Sequence, residues 1–143
     1  MTDDMRLHGS LIGVPSGVDQ LNTPVLVLDI EALDRNLAKM ADYARAHGVA
    51  LRPHAKTHKS VELAKLQIGA GAVGVCCAKL GEAEALEEGG VDSVLLTSPV
   101  VSAAAIHRLV RLNARMKELI VVVDHPDNVA ALAAAAVDRP LDV

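Results

Sequence analysis

Five basic side chains, Arg52, His54, Lys56, His58 and Lys59, fall in the run Arg52-Pro53-His54-Ala55-Lys56-Thr57-His58-Lys59-Ser60. Crowding by Arg52 and Lys59 disfavours the ammonium form of Lys56. The free amine that results is the nucleophile that forms imines with carbonyl compounds. The same cations, next to a helix starting at Ser60, suit a second chemistry: holding a phosphate with no covalent step. His54 and His58 are four residues apart, but in a strand and turn, so they do not converge as a helical His-x3-His pair does. No metal ligand is therefore assigned to them. His54 is expected to orient Lys56 or to stack near a bound ring.

These side chains need a strand that ends at Lys56. Side chains two apart share a face, which puts Arg52, His54 and Lys56 on one side. Pro53 argues for a strand that starts late or meets an irregular neighbour. Ser60 reads as the N-cap of the next helix, with Leu63 and Ala64 its first inward residues. Around this stretch, strand and helix alternate. The run 25–29 is a wholly apolar strand, with Asp29 or a neighbour capping a helix over 31–47. That helix carries Leu33, Leu37, Met40, Ala41 and Ala44 inward and ends at Gly48. A helix over 60–68, a strand over 73–77, a helix over 80–88 and a strand over 91–97 follow. Next come a helix over 103–116, a strand over 119–124, a helix over 128–137, and the start of a strand at Leu141.

Continuous apolar strands separated by helices make a parallel α/β protein. Residues 1–22, punctuated by Gly9, Gly13, Pro15 and Gly17, read as an irregular N-terminal arm, and 23–143 as the α/β part. A doubly wound sheet and part of a (β/α)8 barrel both satisfy the pattern. A complete barrel takes roughly 200 residues or more, so 143 residues ending in a strand read as the N-terminal half of a longer chain. In either architecture the C-terminal ends of the strands carry the chemistry. Lys56, Cys77, Ala78, Lys79, Thr97, Ser98, Asp124 and His125 stand there. The plainer reading of Thr97, Ser98 and Asp124 is helix capping, and of Cys76 and Cys77 core packing.

Composition narrows the class. Hydrophobic residues are 51% of the chain, but Tyr43 is the sole aromatic, so the core is built from Ala, Val, Leu and Ile. Too few rings for base stacking, and a net charge of -4, argue against a nucleic-acid partner. Two adjacent cysteines make no disulfide framework, which points to a reducing cytoplasm. No run approaches the roughly 20 apolar residues of a membrane span, and no signal peptide is expected. After the first strand there is no glycine-rich dinucleotide fingerprint and no Walker spacing.

Several stretches together resemble the D-threonine aldolase family, which includes D-3-hydroxyaspartate aldolases and dehydratases and eukaryotic-type D-serine dehydratases. They are Thr23-Pro24-Val25-Leu26-Val27-Leu28-Asp29, Asn36, the basic run through Ser60, and Gly74-Val75-Cys76-Cys77-Ala78-Lys79 with Glu82-Ala83-Glu84-Ala85. Val94-Leu95-Leu96-Thr97 and Val121-Val122-Val123-Asp124 continue the match. The resemblance implies a barrel of the alanine racemase N-terminal type, here its first half. It also implies a pyridoxal-phosphate lyase in which Lys56 holds the cofactor as a Schiff base. His54, Arg52, Thr97 and Asp124 complete the expected cofactor site. The implied reaction is retro-aldol cleavage of a D-3-hydroxy amino acid to glycine and an aldehyde, the cofactor acting as electron sink. Dehydration or racemisation on the same fold, a non-catalytic phosphate- or cofactor-binding module, and an inactive fragment are the alternatives. The resemblance further implies a divalent metal with ligands in a C-terminal part, and a homodimer at full length.

Overall fold

The computed structural model describes residues 8–143, so the first residues of the expected arm lie outside it. The chain divides into one unit through Asp34 and another from Arg35 onward, taken here in turn.

In the first unit, Gly17–Gln20 form a 3-10 turn. Gly17 is buried there, and a Cβ would fall 2.7 Å from the Leu11 carbonyl oxygen. The apolar run 25–29 is not a strand: no residue in it belongs to a ladder. Leu26, Val27 and Leu28 are 101%, 61% and 50% exposed. A parallel strand exists by virtue of a paired neighbour and cover on both faces, and this run has neither among the described residues. Asp29 does cap the helix after it, accepting the Ala32 N–H at 2.9 Å. That helix, α1 (Ile30–His47), continues into the second unit.

In the second unit α1 ends at Gly48, whose φ of +62° suits glycine. Ala44 is buried and Leu37 and Ala41 half-buried, as the helical spacing predicts. Met40, at the edge of that stripe, is instead exposed. The helices α2 (Val61–Gly69), α3 (Leu80–Glu88), α4 (Ala103–Arg115) and α5 (Pro126–Ala135) alternate with β1 (Val75–Cys77), β2 (Ser93–Leu96) and β3 (Glu118–Val121). Strand order β1-β2-β3 is parallel throughout. Both edges extend it. His54 bridges Cys76 on one side and Asp142 bridges Ile120 on the other, both in parallel. Spatial order thus follows chain order without reversal. A doubly wound sheet reverses at a switch point, so this is the path of a (β/α) barrel, of which these strands are a part.

The basic run is a shorter strand than its apolar start suggested. Pro53 has no N–H to give, but its carbonyl accepts the Cys76 N–H at 2.7 Å, and the Ala55 N–H reaches the Cys76 carbonyl at 2.7 Å. The Val73 N–H donates to Leu51 O at 2.9 Å. These three bonds hold the run on β1 as an edge strand.

Burial alternates along every strand. Val75, Cys77, Val94, Leu96, Leu119 and Val121 are fully buried under the helices. Cys76, Ser93, Leu95, Glu118 and Ile120, on the opposite face, are half-buried. The helices close over the first set with Ala64, Ala83, Leu86, Ile106, Leu109, Leu112 and Leu132. On their outer sides Arg108 pairs with Glu84 and Arg115 with Glu87, which ties α4 to α3. At the C-terminal end of α4, the Arg139 guanidinium donates to the carbonyls of Asn113 (2.6 Å), Met116 (2.7 Å) and Lys117 (2.9 Å). Buried Asn113 donates back to Pro140 O at 3.1 Å.

Leu109→Ala removes a fully buried side chain and is expected to cost about 2–5 kcal/mol in urea denaturation, whereas Met40→Ala should shift stability by no more than about 0.5 kcal/mol.

Candidate active site

The edge strand points its side chains to the two ends of the sheet. Arg52 turns to the N-terminal ends of the strands. Its guanidinium donates to Ser93 Oγ and to Glu118 Oε2, both at 2.8 Å. Ser93 also donates to Glu118. Gly74 makes room for this cluster, since a Cβ there would sit 2.2 Å from Arg52 Nη1 and 2.6 Å from Ser93 O. The Ser93 hydroxyl, then Arg52, holds the Glu118 carboxyl below the usual carboxylate range. A cleft of about 690 Å3, lined by Arg52, Gly74, Ser93, Lys117 and Glu118 among others, opens at this end. In barrels that end carries stability and the other carries chemistry.

His54 and Lys56 lie at the other end. The strand closes in a turn over 55–59, where the Lys59 N–H donates to Ala55 O at 2.8 Å. Lys56 is exposed on this turn. Its backbone N–H donates to His54 Nδ1 at 3.2 Å, and His54 Nε2 lies 3.3 Å from Thr97 Oγ1 at the end of β2. Thr97 in turn donates its hydroxyl to Cys77 O at 2.9 Å. Ser60 caps α2 as its type predicts, accepting the Leu63 N–H at 3.2 Å. His58 Nδ1 accepts the Ser60 N–H at 3.0 Å. Both histidines thus give Nδ1 to the backbone, and no group of three or more His, Cys, Asp or Glu side chains among the described residues is arranged to hold a metal.

The expected crowding of Lys56 does not form. Arg52 is turned to the far end with Glu118, and Lys59 pairs with Glu82 at 3.2 Å. Lys59 has φ +49°, a left-handed conformation uncommon for a side chain other than glycine or asparagine. Its carboxylate partner secures it. Glu82 Oε2 also accepts the N–H groups of Ala78 (2.9 Å) and Lys79 (3.2 Å). Burial acts to raise the Glu82 pKa, but these N–H donors and Lys59 together bring it below the ordinary value. One carboxylate therefore joins the turn after the edge strand to the turn after β1.

The structure brings Lys56, His54 and Thr97 together at the C-terminal ends of the strands. Arg52 does not join them. Asp124 follows β3 at the same end, exposed. It is not the cap of α5: His125 Nδ1 accepts the Asp127 N–H at 3.2 Å. Nor do Thr97 and Ser98 cap α4, because Ser102 accepts the Ala105 N–H at 3.3 Å. Burial, followed by the Glu82 carboxylate and Cys76, pushes the Cys77 thiol up to about 12, so it packs as a neutral side chain.

Residue types and spacing assign no site role to Glu82, Ser93, Glu118 or Asn128. Glu82 was accessible, since an acid three residues after a helix N-cap is a capping signal. Ser93 and Glu118 needed the strand register, which aligns them directly. Asn128, buried in the first turn of α5, donates to Val100 O at 2.7 Å and pins the loop after β2. Nothing in its spacing sets it apart.

Residues 28–143 match the family described as alanine racemase, N-terminal domain. The chain belongs to that family. Within this alanine racemase-like family, it is 50% identical over 123 residues to the 3-hydroxy-D-aspartate aldolase of Paracoccus denitrificans, covering 84% of this chain and 32% of that protein. The crystal structure of D-threonine aldolase from Filomicrobium marinum superimposes with a TM-score of 0.78 at 42% identity, over 80% of this chain and 31% of that one. The D-threo-3-hydroxyaspartate dehydratase of Delftia sp. HT23 gives a TM-score of 0.69 at 39% identity, over 80% and 30%. A mutant of a D-threo-3-hydroxyaspartate dehydratase is also known in a metal-free form. The chain thus spans about a third of the length of these relatives. They bear out the expected family and the partial barrel.

Gly74→Ala should destabilise by about 1–3 kcal/mol in urea, because neither Arg52 nor the Ser93 backbone can withdraw freely. Glu118 contributes stability above the ordinary carboxylate pKa and loses it as pH falls through its lowered value. Glu118→Gln should therefore flatten the acid side of a stability–pH profile measured by denaturation from about pH 7 to about pH 3.

Proposed function

We propose that this chain is the lysine-bearing part of a pyridoxal-phosphate lyase that cleaves D-3-hydroxy amino acids to glycine and an aldehyde. One observation carries the reading. Lys56 stands exposed at the C-terminal end of a parallel barrel-type strand, and no carboxylate among the described residues pairs with it. Half-identity to an aldolase named for 3-hydroxy-D-aspartate supports the substrate class. In this reading 23–143 is the N-terminal portion of the cofactor-binding barrel.

The residues at this end fit the cofactor's aldehyde. An exposed lysine amine is the group that holds it, and no ion pair has to be broken first. Bound there, the cofactor supplies an electron sink for a bond broken at the substrate Cα. Lys56 holds the attachment point. His54 and Thr97 fix the turn from which it projects, and Asp124 lines the same mouth. Substrate binding and any divalent metal are assigned to the two-thirds of the relatives' length that this chain does not span. The metal-free form of a mutant dehydratase relative supports a metal in that enzyme.

Dehydration is the second reading, favoured by the 39% identity to the Delftia dehydratase. The products separate the two. Cleavage gives glycine and an aldehyde, whereas dehydration of the same substrate releases ammonia and leaves an oxo acid.

Incubation with pyridoxal phosphate, borohydride reduction and peptide mapping should place a single pyridoxyl label on Lys56, and Lys56→Ala should remove it. A folded chain that takes no label, or takes it on several other lysines, overturns the assignment.

A further inference from the structure

The hydrogen bonds around His54 run in one direction. The Lys56 backbone N–H can only donate, so His54 Nδ1, 3.2 Å away, carries no proton. A neutral ring then bears its proton on Nε2, which faces Thr97 Oγ1 at 3.3 Å. Thr97 can accept it, because its own hydroxyl proton is committed to Cys77 O at 2.9 Å. The β-strand carbonyl at Cys77 thus anchors Thr97, Thr97 anchors the ring, and the ring holds the amide of Lys56. An amide carbonyl is always an acceptor, so the direction of the whole chain is set by the backbone of β1.

We propose that His54 is a positioning residue, held as its neutral Nε2–H tautomer by Thr97, which clamps the turn that presents Lys56. Its importance for catalysis rests on Lys56 being the attachment point, whereas the clamp itself does not. The turn needs such a clamp. Lys59 closes it in a left-handed conformation, and Glu82 ties the turn down at its far end. His54 supplies the near end. The arrangement predicts which replacements succeed. Asparagine at 54 keeps an acceptor for an N–H two residues on, as in an Asx turn, but has no atom in place of Nε2 to meet Thr97. Leucine of similar size keeps none. Serine at 97 keeps the hydroxyl between ring and carbonyl, whereas valine keeps only the shape.

The test is a long-range proton–nitrogen NMR correlation of the histidine rings in the 143-residue chain at about pH 8, with His54 assigned by its loss in His54→Asn. The expected pattern is an unprotonated Nδ1 and a protonated Nε2. The Nδ1–H tautomer, or an even mixture, overturns the proposal. Amide exchange at Lys56 is the second readout. Thr97→Val and His54→Leu should each speed it about five- to tenfold, the worth of one neutral hydrogen bond, with Thr97→Ser staying near wild type. Equal exchange in Thr97→Val and Thr97→Ser also overturns it. Neither readout involves bound cofactor, so they decide the clamp whether or not Lys56 takes a pyridoxyl label.

Discussion

The pairing of the edge strand with β1 is the constraint on which the site depends. Two hydrogen bonds at 2.7 Å, from Cys76 N–H to Pro53 O and from Ala55 N–H to Cys76 O, fix its register. With that register set, period two does the rest. Arg52 meets Ser93 and Glu118 at one end, His54 meets Thr97 near the other, and Lys56 is carried past the last ladder bond into solvent. A shift of one residue would bury the three cations against the helices and turn Pro53 and Ala55 to the opposite face. Gly74 enforces the same choice sterically, because a Cβ there would collide with the Arg52 guanidinium and with Ser93.

The two ends of the strand are stabilised by different means. The Arg52 cluster is electrostatic, with one guanidinium and one hydroxyl sharing a carboxylate. The Lys56 end is held by directed hydrogen bonds in which imidazole and hydroxyl side chains link backbone groups of neighbouring strands. The difference suits their locations. A half-buried charge needs its partner beside it, while an exposed amine is solvated without one. Carboxylates pair with Arg52 and Lys59 on either side, and among the described residues none pairs with Lys56.

The alternation of apolar strands and helices made the architecture legible in the sequence, and local capping chemistry made Ser60, Gly48 and Asp29 legible too. Each of these depends on residues within a few positions of one another. What could not be read depends on partners far along the chain. The run 25–29 has the composition of a buried strand, but composition does not provide the neighbour that makes one. Arg52 looked like a neighbour of Lys56 because strand parity gives the face of a side chain and not the end of the sheet it reaches for. Its partners are 41 and 66 residues away. The cap of α5 fell to His125 in place of Asp124, since the side chain with an acceptor aimed at the first free N–H depends on a backbone angle that residue type does not set.

Arg139 gives the last element of the chain an unusual standing. Helix ends are ordinarily closed by their own C-terminal residues, but the Asn113 carbonyl in the last turn of α4, and those of Met116 and Lys117 just after it, accept from a guanidinium beyond α5. The segment that pairs Asp142 with β3 and the end of α4 therefore open together. Releasing one uncaps the other, so this edge of the sheet belongs to the cooperative unit of the core.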